Sequence, residues 1–167
     1  KFYALKYIIP FLNAYPHDEY REPFVGGGSV FFGKPKARFN WLNDLEGDVI
    51  ETYKAMQSKD RSELLITRVS GEIATRERHA EIKAYSPLNA DDLAFKTYYL
   101  NRTSYSGIIH KPAWGYALGA SSPPENWHRF IRGANKKLDA VHLSNLDFSE
   151  VLNAPAQGGS VLMYLDP

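Results

Sequence analysis

The sequence predicts an α/β fold with a mostly parallel sheet. Strand, helix and strand follow one another within residues 1–57, and a second such pattern occupies residues 141–167. Residues 58–140 have mostly helical patterns and predict an insertion between the two. The first strand runs into Gly26-Gly27-Gly28 and the last into Asp166-Pro167, so both strands end in residues suited to a ligand.

Four short segments predict the strands. Glu19 to Glu22 leads into the glycines, and residues 37–43 alternate enough to form the second strand. The third and fourth strands are expected at residues 141–146 and 161–165, and the last of these is almost wholly apolar.

Helical spacing accounts for the remaining elements. Residues 1–12 place apolar side chains on one face and lysines on the other, which predicts an amphipathic helix that kinks or ends near Pro10. Ser29 begins a second helix, and Lys34-Pro35-Lys36 breaks it. Further helices are expected at residues 46–57, 91–100 and 124–138.

Composition limits the classes of protein that fit. Of the 167 residues 44% are hydrophobic, which is ample for a core, and the absence of cysteine removes disulfides and thiolate metal sites. No apolar run reaches about 20 residues and no signal pattern opens the chain, so we expect a soluble cytoplasmic protein with no membrane partner. The net charge of +1 means that any DNA contact must come from a local basic face. The chain starts at Lys1 and stops within a motif, so we expect a fragment, and a monomer is compatible with its sequence.

The stretch Glu22-Pro23-Phe24-Val25-Gly26-Gly27-Gly28 is the most informative in the chain. Glycine takes positive φ without steric cost and lets a ligand lie on the backbone, but a purely structural turn fits three glycines equally well. Asp44 stands 18 residues beyond Gly26, where a second strand ends and a carboxylate can take a ribose diol. Asp44 also suits the N-cap of the following helix, so both roles stay open.

Four motifs make a family resemblance specific. They are the glycine turn, Asn43-Asp44-Leu45, Leu100-Asn101-Arg102-Thr103-Ser104-Tyr105-Ser106-Gly107 and Tyr164-Leu165-Asp166-Pro167. In this order, and over almost the whole chain, they resemble the Dam-type (D12 class) adenine-specific DNA methyltransferases. The last motif of that family is Asp-Pro-Pro-Tyr, of which this chain carries the first two residues.

The resemblance implies a Rossmann-like methyltransferase core, residues 1–57 and 141–167, with residues 58–140 as a helical target-recognition region. It implies S-adenosyl-L-methionine as cofactor and double-stranded DNA as partner, with methyl transfer to the exocyclic amino group of a flipped adenine. That amino group needs acceptors for both hydrogens, so that its lone pair faces the methyl carbon. The implied acceptors are the Asp166 carboxylate and the Pro167 carbonyl, although Asp166 alone also fits a turn or an N-cap.

The resemblance also assigns residues to the cofactor and to DNA. The implied cofactor contacts are Lys1, Phe24, Gly26, Gly28, Asp44, Leu45, Phe148 and Asp166. The implied DNA contacts are Asn101, Arg102, Thr103, Tyr105, Ser106, His110 and Lys111. These residue types suit DNA. Cations bind phosphates, hydroxyls and amides bond the edges of bases, and an aromatic ring can wedge between bases. Simpler alternatives remain for some of them, since Lys1 fits a solvated lysine and Asn101 with Arg102 fits a tie within the insertion. No metal site is expected, because the five histidines show no ligand spacing.

The recognised DNA sequence is expected to differ from GATC. The resembled family recognises its target with an aromatic, a polar and a basic residue, which here are Tyr105, Ser106 and His110. Ser106 is too short for a bidentate contact to adenine, and neutral His110 lacks the guanidinium that pairs with guanine. Lys111 or a residue of the 113–122 loop is the alternative source of a guanine contact.

Two other functions fit parts of the sequence. A dinucleotide-dependent oxidoreductase has a similar turn, but its Gly-x-Gly-x-x-Gly pattern does not match Gly26-Gly27-Gly28-Ser29-Val30-Phe31. A non-catalytic DNA-binding relic is the second alternative, because the aromatic residue of the last motif is not in the chain.

Overall fold

The computed structural model describes residues 4–107 and 111–167, which form two compact units. Unit 1 comprises Lys1–Ile50 and Asp139–Pro167, and unit 2 comprises Glu51–Leu138. The sequence analysis placed the boundaries after residues 57 and 140, a few residues later. The first observed boundary falls within a helix, where no change in composition marks it.

Within the described residues, four strands form one parallel sheet in unit 1, with strand order β3-β2-β1-β4. These strands are β1 (Glu19–Glu22), β2 (Phe39–Asn43), β3 (His142–Ser144) and β4 (Val161–Met163). Tyr20 of β1 is paired with Asn40 and Leu162, which sets the register of β2, β1 and β4. The predicted α/β class with a parallel sheet is confirmed.

The order of the strands reverses beside β1. The chain passes outward from β1 to β2 and β3, then returns to the opposite side of β1 as β4. Because all four strands are parallel, their carboxyl ends lie along one edge of the sheet. Open α/β sheets bind ligands in the crevice at such a reversal, so the residues that follow β1 and β4 flank the expected site.

Helices account for most of the remaining described residues. They are α1 (Leu5–Asn13), α2 (Ser29–Gly33), α3 (Gly47–Gln57), α4 (Lys59–Val69), α5 (Arg76–Ala84), α6 (Ala90–Thr103), α7 (Trp127–Leu138) and α8 (Phe148–Asn153). Two 3₁₀ turns, Tyr105–Gly107 and Pro124–Asn126, precede α7.

The first helix contains Pro10 and ends at Asn13, one residue beyond the predicted range. Helix α1 continues for three residues beyond Pro10, and the Ala14 N–H donates to the Pro10 carbonyl oxygen over 3.1 Å. Proline removes only one helical hydrogen bond, and the burial of Leu12 stabilises the last turn. Helix α2 ends before Lys34-Pro35, as predicted.

Strand β1 separates two kinds of polar side chain because successive residues point to opposite faces of the sheet. On one face the buried Arg21 is paired with Glu19 over 2.7 Å and donates to the carbonyl oxygens of Val151, Ala154 and Pro155. These bonds fix the end of α8. Tyr20 and Glu22 lie on the other face.

Unit 2 is a group of helices that pack around aromatic side chains. Trp127 is fully buried and packs edge-on against Tyr99, with ring centroids 5.6 Å apart. The first turns of α4, α5 and α6 are capped by Ser58, Thr75 and Asn89, whose side chains accept backbone N–H groups. The chemistry of these caps is local, which explains why the helices are recognisable in the sequence.

Candidate cofactor and catalytic site

The glycine turn follows β1 directly and has the backbone that only glycine adopts easily. Gly26 has φ of 46° and Gly28 has φ of 64°, and the Gly28 N–H closes the turn on the Val25 carbonyl oxygen at 2.8 Å. A Cβ atom added at Gly26 would meet nothing within 4 Å. The turn therefore leaves open space where a ligand can approach the main chain.

Asp44 joins the end of β2 to the glycine turn. Its Oδ2 atom accepts from the Gly26 N–H over 2.7 Å, and its Oδ1 atom accepts from the Glu46 N–H over 3.0 Å. Helix α3 begins at Gly47, so Asp44 precedes the N-cap position and the capping alternative does not describe it. The half-buried carboxylate instead stabilises the turn.

Asn43 also belongs to this site, although the sequence indicated it only as part of the motif with Asp44 and Leu45. Its buried side-chain amide donates to the carbonyl oxygens of Pro23 and Leu146, both at 3.0 Å. Its Oδ1 atom accepts from the Ser144 hydroxyl over 2.7 Å and from the Leu146 N–H over 2.9 Å. Asn43 thus ties together the segments that follow β1, β2 and β3. A polar residue at the carboxyl end of the strand, directly after Trp41 and Leu42, was the available signal.

Apolar side chains flank the turn on the same edge of the sheet. The rings of Phe24 and Phe148 lie 5.2 Å apart, and Phe148 remains 44% exposed. Leu45 is 74% exposed beside Asp44, where the amide of Asn145 donates to the Leu45 carbonyl oxygen over 2.8 Å. These surfaces can accept the flat face of a base.

Asp166 lies beyond the end of β4, next to β1. The parallel ladder extends one residue past β4, because the Tyr164 N–H donates to the Arg21 carbonyl oxygen over 2.9 Å. The Tyr164 hydroxyl donates to Asp166 Oδ2 over 3.1 Å, and burial together with this carboxylate raises the pKa of Tyr164. Asp166 is half-buried and Pro167 is exposed. A carboxylate therefore stands at the reversal of strand order, as expected for a site residue.

A further polar group lies behind this edge of the sheet. Glu22 is 2% exposed and accepts from the Tyr20 hydroxyl over 2.6 Å. Lys34 is equally buried, with its ammonium group 4.1 Å from the centre of the Tyr20 ring. The sequence analysis treated Glu22 only as part of the glycine motif and Lys34 only as a helix breaker.

The predicted DNA contacts belong to unit 2, and the structure contradicts one of them. Thr103 is fully buried, where its hydroxyl donates to the Tyr99 carbonyl oxygen and bonds His79 Nδ1, so its side chain supports packing. Asn101 donates to the Gly107 carbonyl oxygen over 2.9 Å, and the Arg102 guanidinium lies 4.5 Å from the centre of the Phe130 ring. The Asn101 bond fits the alternative role as a tie within the insertion.

Tyr105 and Lys111 are both exposed. Gly115 packs so closely on Tyr105 that a Cβ atom there would lie 2.3 Å from the Tyr105 backbone. The Tyr105 N–H donates to the Ala113 carbonyl oxygen over 2.9 Å, so the backbone beneath the exposed ring is well held. Lys1, His110 and the side chain of Ser106 lie outside the described residues.

Two negative observations concern the described ranges, 4–107 and 111–167. No group of three or more His, Cys, Asp or Glu residues within them could hold a metal ion. No helix within them has the length and apolar character needed to cross a membrane.

The parallel sheet, its reversal beside β1 and the glycine turn tied to a carboxylate define a Rossmann-like methyltransferase fold. The chain belongs to the D12 class N6 adenine-specific DNA methyltransferase family, whose family model matches residues 1–167. This finding confirms the family predicted from the four ordered motifs.

A DNA N-6-adenine-methyltransferase of Escherichia phage P1 is 34% identical to this chain over 157 residues. The match covers 87% of this chain and 20% of the phage protein. The chain therefore spans a fifth of the length of this relative.

Proposed function

We propose that unit 1 binds S-adenosyl-L-methionine on the glycine turn and that the protein methylates the exocyclic amino group of adenine in DNA. The observation that carries this proposal is the 2.7 Å hydrogen bond from the Gly26 N–H to Asp44, in a chain of this family. A carboxylate accepts up to about four hydrogen bonds, so Asp44 can hold the turn and still receive the ribose hydroxyls.

The surroundings of the turn suit the remaining parts of the cofactor. The exposed side chains of Leu45 and Phe148 provide apolar surface for the adenine ring. Phe24, which packs on Phe148, is proposed to lie towards the methionine part, and the open space at Gly26 admits the ligand to the main chain. Lys1 is proposed to contact the methionine part of the cofactor. The support for this contact is the alignment of Lys1 with the family motifs alone.

When bound, S-adenosyl-L-methionine supplies a methyl group attached to a sulfonium sulfur. The amine nitrogen bonds to the methyl carbon as the carbon–sulfur bond breaks, which leaves a neutral thioether. The nitrogen then loses one proton. The Asp166 carboxylate and the Pro167 carbonyl accept the two amino hydrogens, which aims the nitrogen lone pair at the methyl carbon. A base in a stacked duplex cannot reach these acceptors, so the target adenine must be flipped out.

Unit 2 is proposed to recognise double-stranded DNA through residues 101–111. The exposed Tyr105 ring is placed to wedge between bases, and Lys111 can bind a phosphate or a base edge. Helix α7 adds a basic face with Arg129, Arg132 and Lys136, whose cations suit a phosphate backbone. Such an enzyme works beside DNA, which agrees with the predicted cytoplasmic location.

The test is transfer from labelled S-adenosyl-L-methionine to DNA by the full-length protein. Label is expected on the N6 atom of adenine, and label on another base would overturn the assigned acceptor. No transfer to any DNA would favour the DNA-binding relic. Calorimetry provides a separate control, because tight binding of NAD with no response to S-adenosyl-L-methionine would identify an oxidoreductase instead.

The target sequence is tested by sequencing methylated adenines in the modified DNA. We expect sites other than GATC, because Ser106 and His110 lack the bidentate groups that suit adenine and guanine. Methylation concentrated at GATC would contradict this reasoning. The guanine contact would then come from Lys111 or from a residue of the 113–122 loop.

A further inference from the structure

Two short backbone segments of unit 2 are paired with each other. Residues 103–105 run antiparallel to residues 113–115, with a bridge between their central residues. The Tyr105 N–H donates to the Ala113 carbonyl oxygen over 2.9 Å, and the Gly115 N–H donates back to the first segment over 3.0 Å. The exposed ring of Tyr105, which is proposed to wedge between bases, therefore projects from these paired segments.

Helix α5 holds the paired segments through two side chains that lie one helical turn apart. Lys83 donates from Nζ to the carbonyl oxygen of Pro112, which directly precedes the second segment, over 2.8 Å. The buried ring of His79 packs edge-on against Trp114, with centroids 5.7 Å apart. The Nδ1 atom of His79 lies 2.8 Å from the Thr103 hydroxyl oxygen. His79 thus contacts both segments.

The hydrogen bond between His79 and Thr103 has a defined direction. A hydroxyl carries one hydrogen, and that of Thr103 goes to the Tyr99 carbonyl oxygen over 2.8 Å. The Nδ1 atom of His79 must therefore carry a hydrogen and donate it to Thr103. An apolar ring at this position would lose the bond.

The backbone beside these contacts is strained at one residue. Lys111 has φ of 52°, in the left-handed region that residues other than glycine adopt rarely. Such a conformation costs free energy and persists only where the surrounding structure holds it. Lys83 bonds the next residue, Pro112, so α5 fixes the chain directly after the strained position.

We propose that His79 and Lys83 are positioning residues for DNA recognition, because they fix the paired segments from which Tyr105 and Lys111 reach the target. This inference rests on the proposed function, which assigns residues 101–111 to DNA. Neither His79 nor Lys83 touches DNA in this account. A segment that is held in one position before binding loses less conformational entropy when DNA binds, which improves affinity for the correct site.

The first experiment replaces Lys83, which is exposed, so its loss should not disturb the core. Transfer by the full-length protein is measured on a duplex that wild type methylates and on duplexes with one base pair changed. Lys83→Met should raise KM for the first duplex about fivefold, the effect of one ordinary hydrogen bond, with kcat within about twofold of wild type. Discrimination against the changed duplexes should fall, because they depend less on the held segment.

Two variants separate position from charge. Lys83→Arg keeps a cationic donor beside Pro112 and should stay close to wild type. Lys96→Met removes the same charge and a similar bond, since Lys96 donates to the Tyr85 carbonyl oxygen over 2.6 Å rather than to the paired segments. It should leave KM for DNA unchanged.

The dependence on salt tests whether Lys83 binds a phosphate instead. A lost phosphate contact weakens binding to all duplexes equally and lowers the slope of log KM against log salt by about one. That pattern in Lys83→Met would overturn the positioning role. A wild-type slope with reduced discrimination is the expected result.

The second experiment measures the paired segments without DNA. His79→Phe keeps a ring of similar size against Trp114 but cannot donate to Thr103. Amide hydrogen exchange at Tyr105 should become about tenfold faster in this variant and in Lys83→Met, while α4 and α7 keep wild-type protection. A role in general packing would instead speed exchange throughout unit 2.

Gly115→Ala tests the proposed function separately. A Cβ atom at Gly115 would lie 2.3 Å from the Tyr105 backbone, so this substitution must move Tyr105 without changing a side chain of α5. It should raise KM for DNA more than Lys83→Met does. Cofactor affinity, measured by calorimetry with S-adenosyl homocysteine, should stay at the wild-type value.

The outcomes distinguish this inference from the proposed function. Unchanged KM, discrimination and exchange in Lys83→Met and His79→Phe would overturn the role of α5, even where Gly115→Ala weakens recognition. If His79→Phe fails to fold, the result for Lys83→Met decides alone. Wild-type KM and discrimination in Gly115→Ala would instead refute recognition by residues 101–111.

Discussion

The two compact units use polar side chains in different ways. In unit 1 the side chains of Asn43, Asp44 and Glu22 bond backbone or hydroxyl groups at the strand ends. In unit 2 charged side chains form half-exposed pairs between helices, such as Arg68 with Asp92 and Arg78 with Glu72. Exposed pairs contribute little to stability, whereas breaking a buried network leaves several groups unpaired. The polar groups of unit 1 therefore shape a site, and unit 2 depends on its aromatic core.

A second difference concerns unpaired polar atoms. Among the described residues, Arg102 Nε and Ser104 Oγ of unit 2 are buried without a hydrogen-bond partner, and no described side chain of unit 1 has such an atom. Buried unpaired groups cost free energy and call for an explanation. The same holds for His79 Nε2, and the Arg102 guanidinium lies over the Phe130 ring. The contrast is between a hydrogen-bonded glycine turn in unit 1 and buried polar atoms of unit 2 that are left unpaired.

Replacing Asp166 should have the largest effect on activity. Asp166→Ala removes the acceptor proposed for the target amine and should cost on the order of 3 kcal/mol or more of transition-state stabilisation, a loss of at least about 100-fold in kcat. Single-turnover transfer measures it, with cofactor affinity from calorimetry as the control. Weakened cofactor binding at unchanged turnover would move Asp166 to the cofactor site.

Asn43→Ala should destabilise unit 1 more than any exposed polar substitution there. It removes the hydrogen bonds with the Pro23 and Leu146 carbonyls, the Leu146 N–H and the Ser144 hydroxyl, which should cost about 3 kcal/mol. Asn145→Ala, at an exposed amide nearby, is the matched control and should cost about 1 kcal/mol. Urea unfolding followed by circular dichroism compares them, and equal losses would contradict the importance of the buried network.

Asp44→Ala should act on the cofactor rather than on transfer. It removes the acceptor for the Gly26 N–H and the proposed partner of the ribose, so affinity should fall by about 2 kcal/mol, roughly 30-fold in Kd. Calorimetry with S-adenosyl homocysteine measures the loss. Unchanged affinity would leave Asp44 with a purely structural role in the turn.

Thr75→Ala should have the smallest effect. Thr75 caps α5 by accepting from the Arg78 N–H over 3.1 Å, and loss of such a cap costs about 1 kcal/mol. Thermal unfolding should show this loss, while kcat stays at the wild-type value. A large fall in kcat would show that α5 does more than support unit 2.

Much of the fold could be predicted from the sequence. The four strands, the break after α2 and the polar start of α8 are marked by apolar runs, proline and capping residues that act over a few positions. The end of α1 at Asn13 lies within one residue of the predicted end, although Pro10 stands inside the helix.

The candidate site was predictable in outline but not in its contacts. The sequence left Asp44 between a cap and a ligand residue. The position of α3 argues against the cap, and the bond to Gly26 assigns the carboxylate to the turn. The sequence assigned Thr103 to DNA, and only the structure shows that its side chain is fully buried and bonds the Tyr99 carbonyl oxygen.

The sequence by itself determined the order of strands and helices, the parallel sheet and the four motifs that identify the family. Each of these depends on residues close together in the chain, whose spacing and conformational preferences are visible in one dimension. The tertiary structure alone decided that Asn43 joins three strand ends. Its contacts include Ser144, 101 positions away, and depend on which side chains the folded sheet buries together.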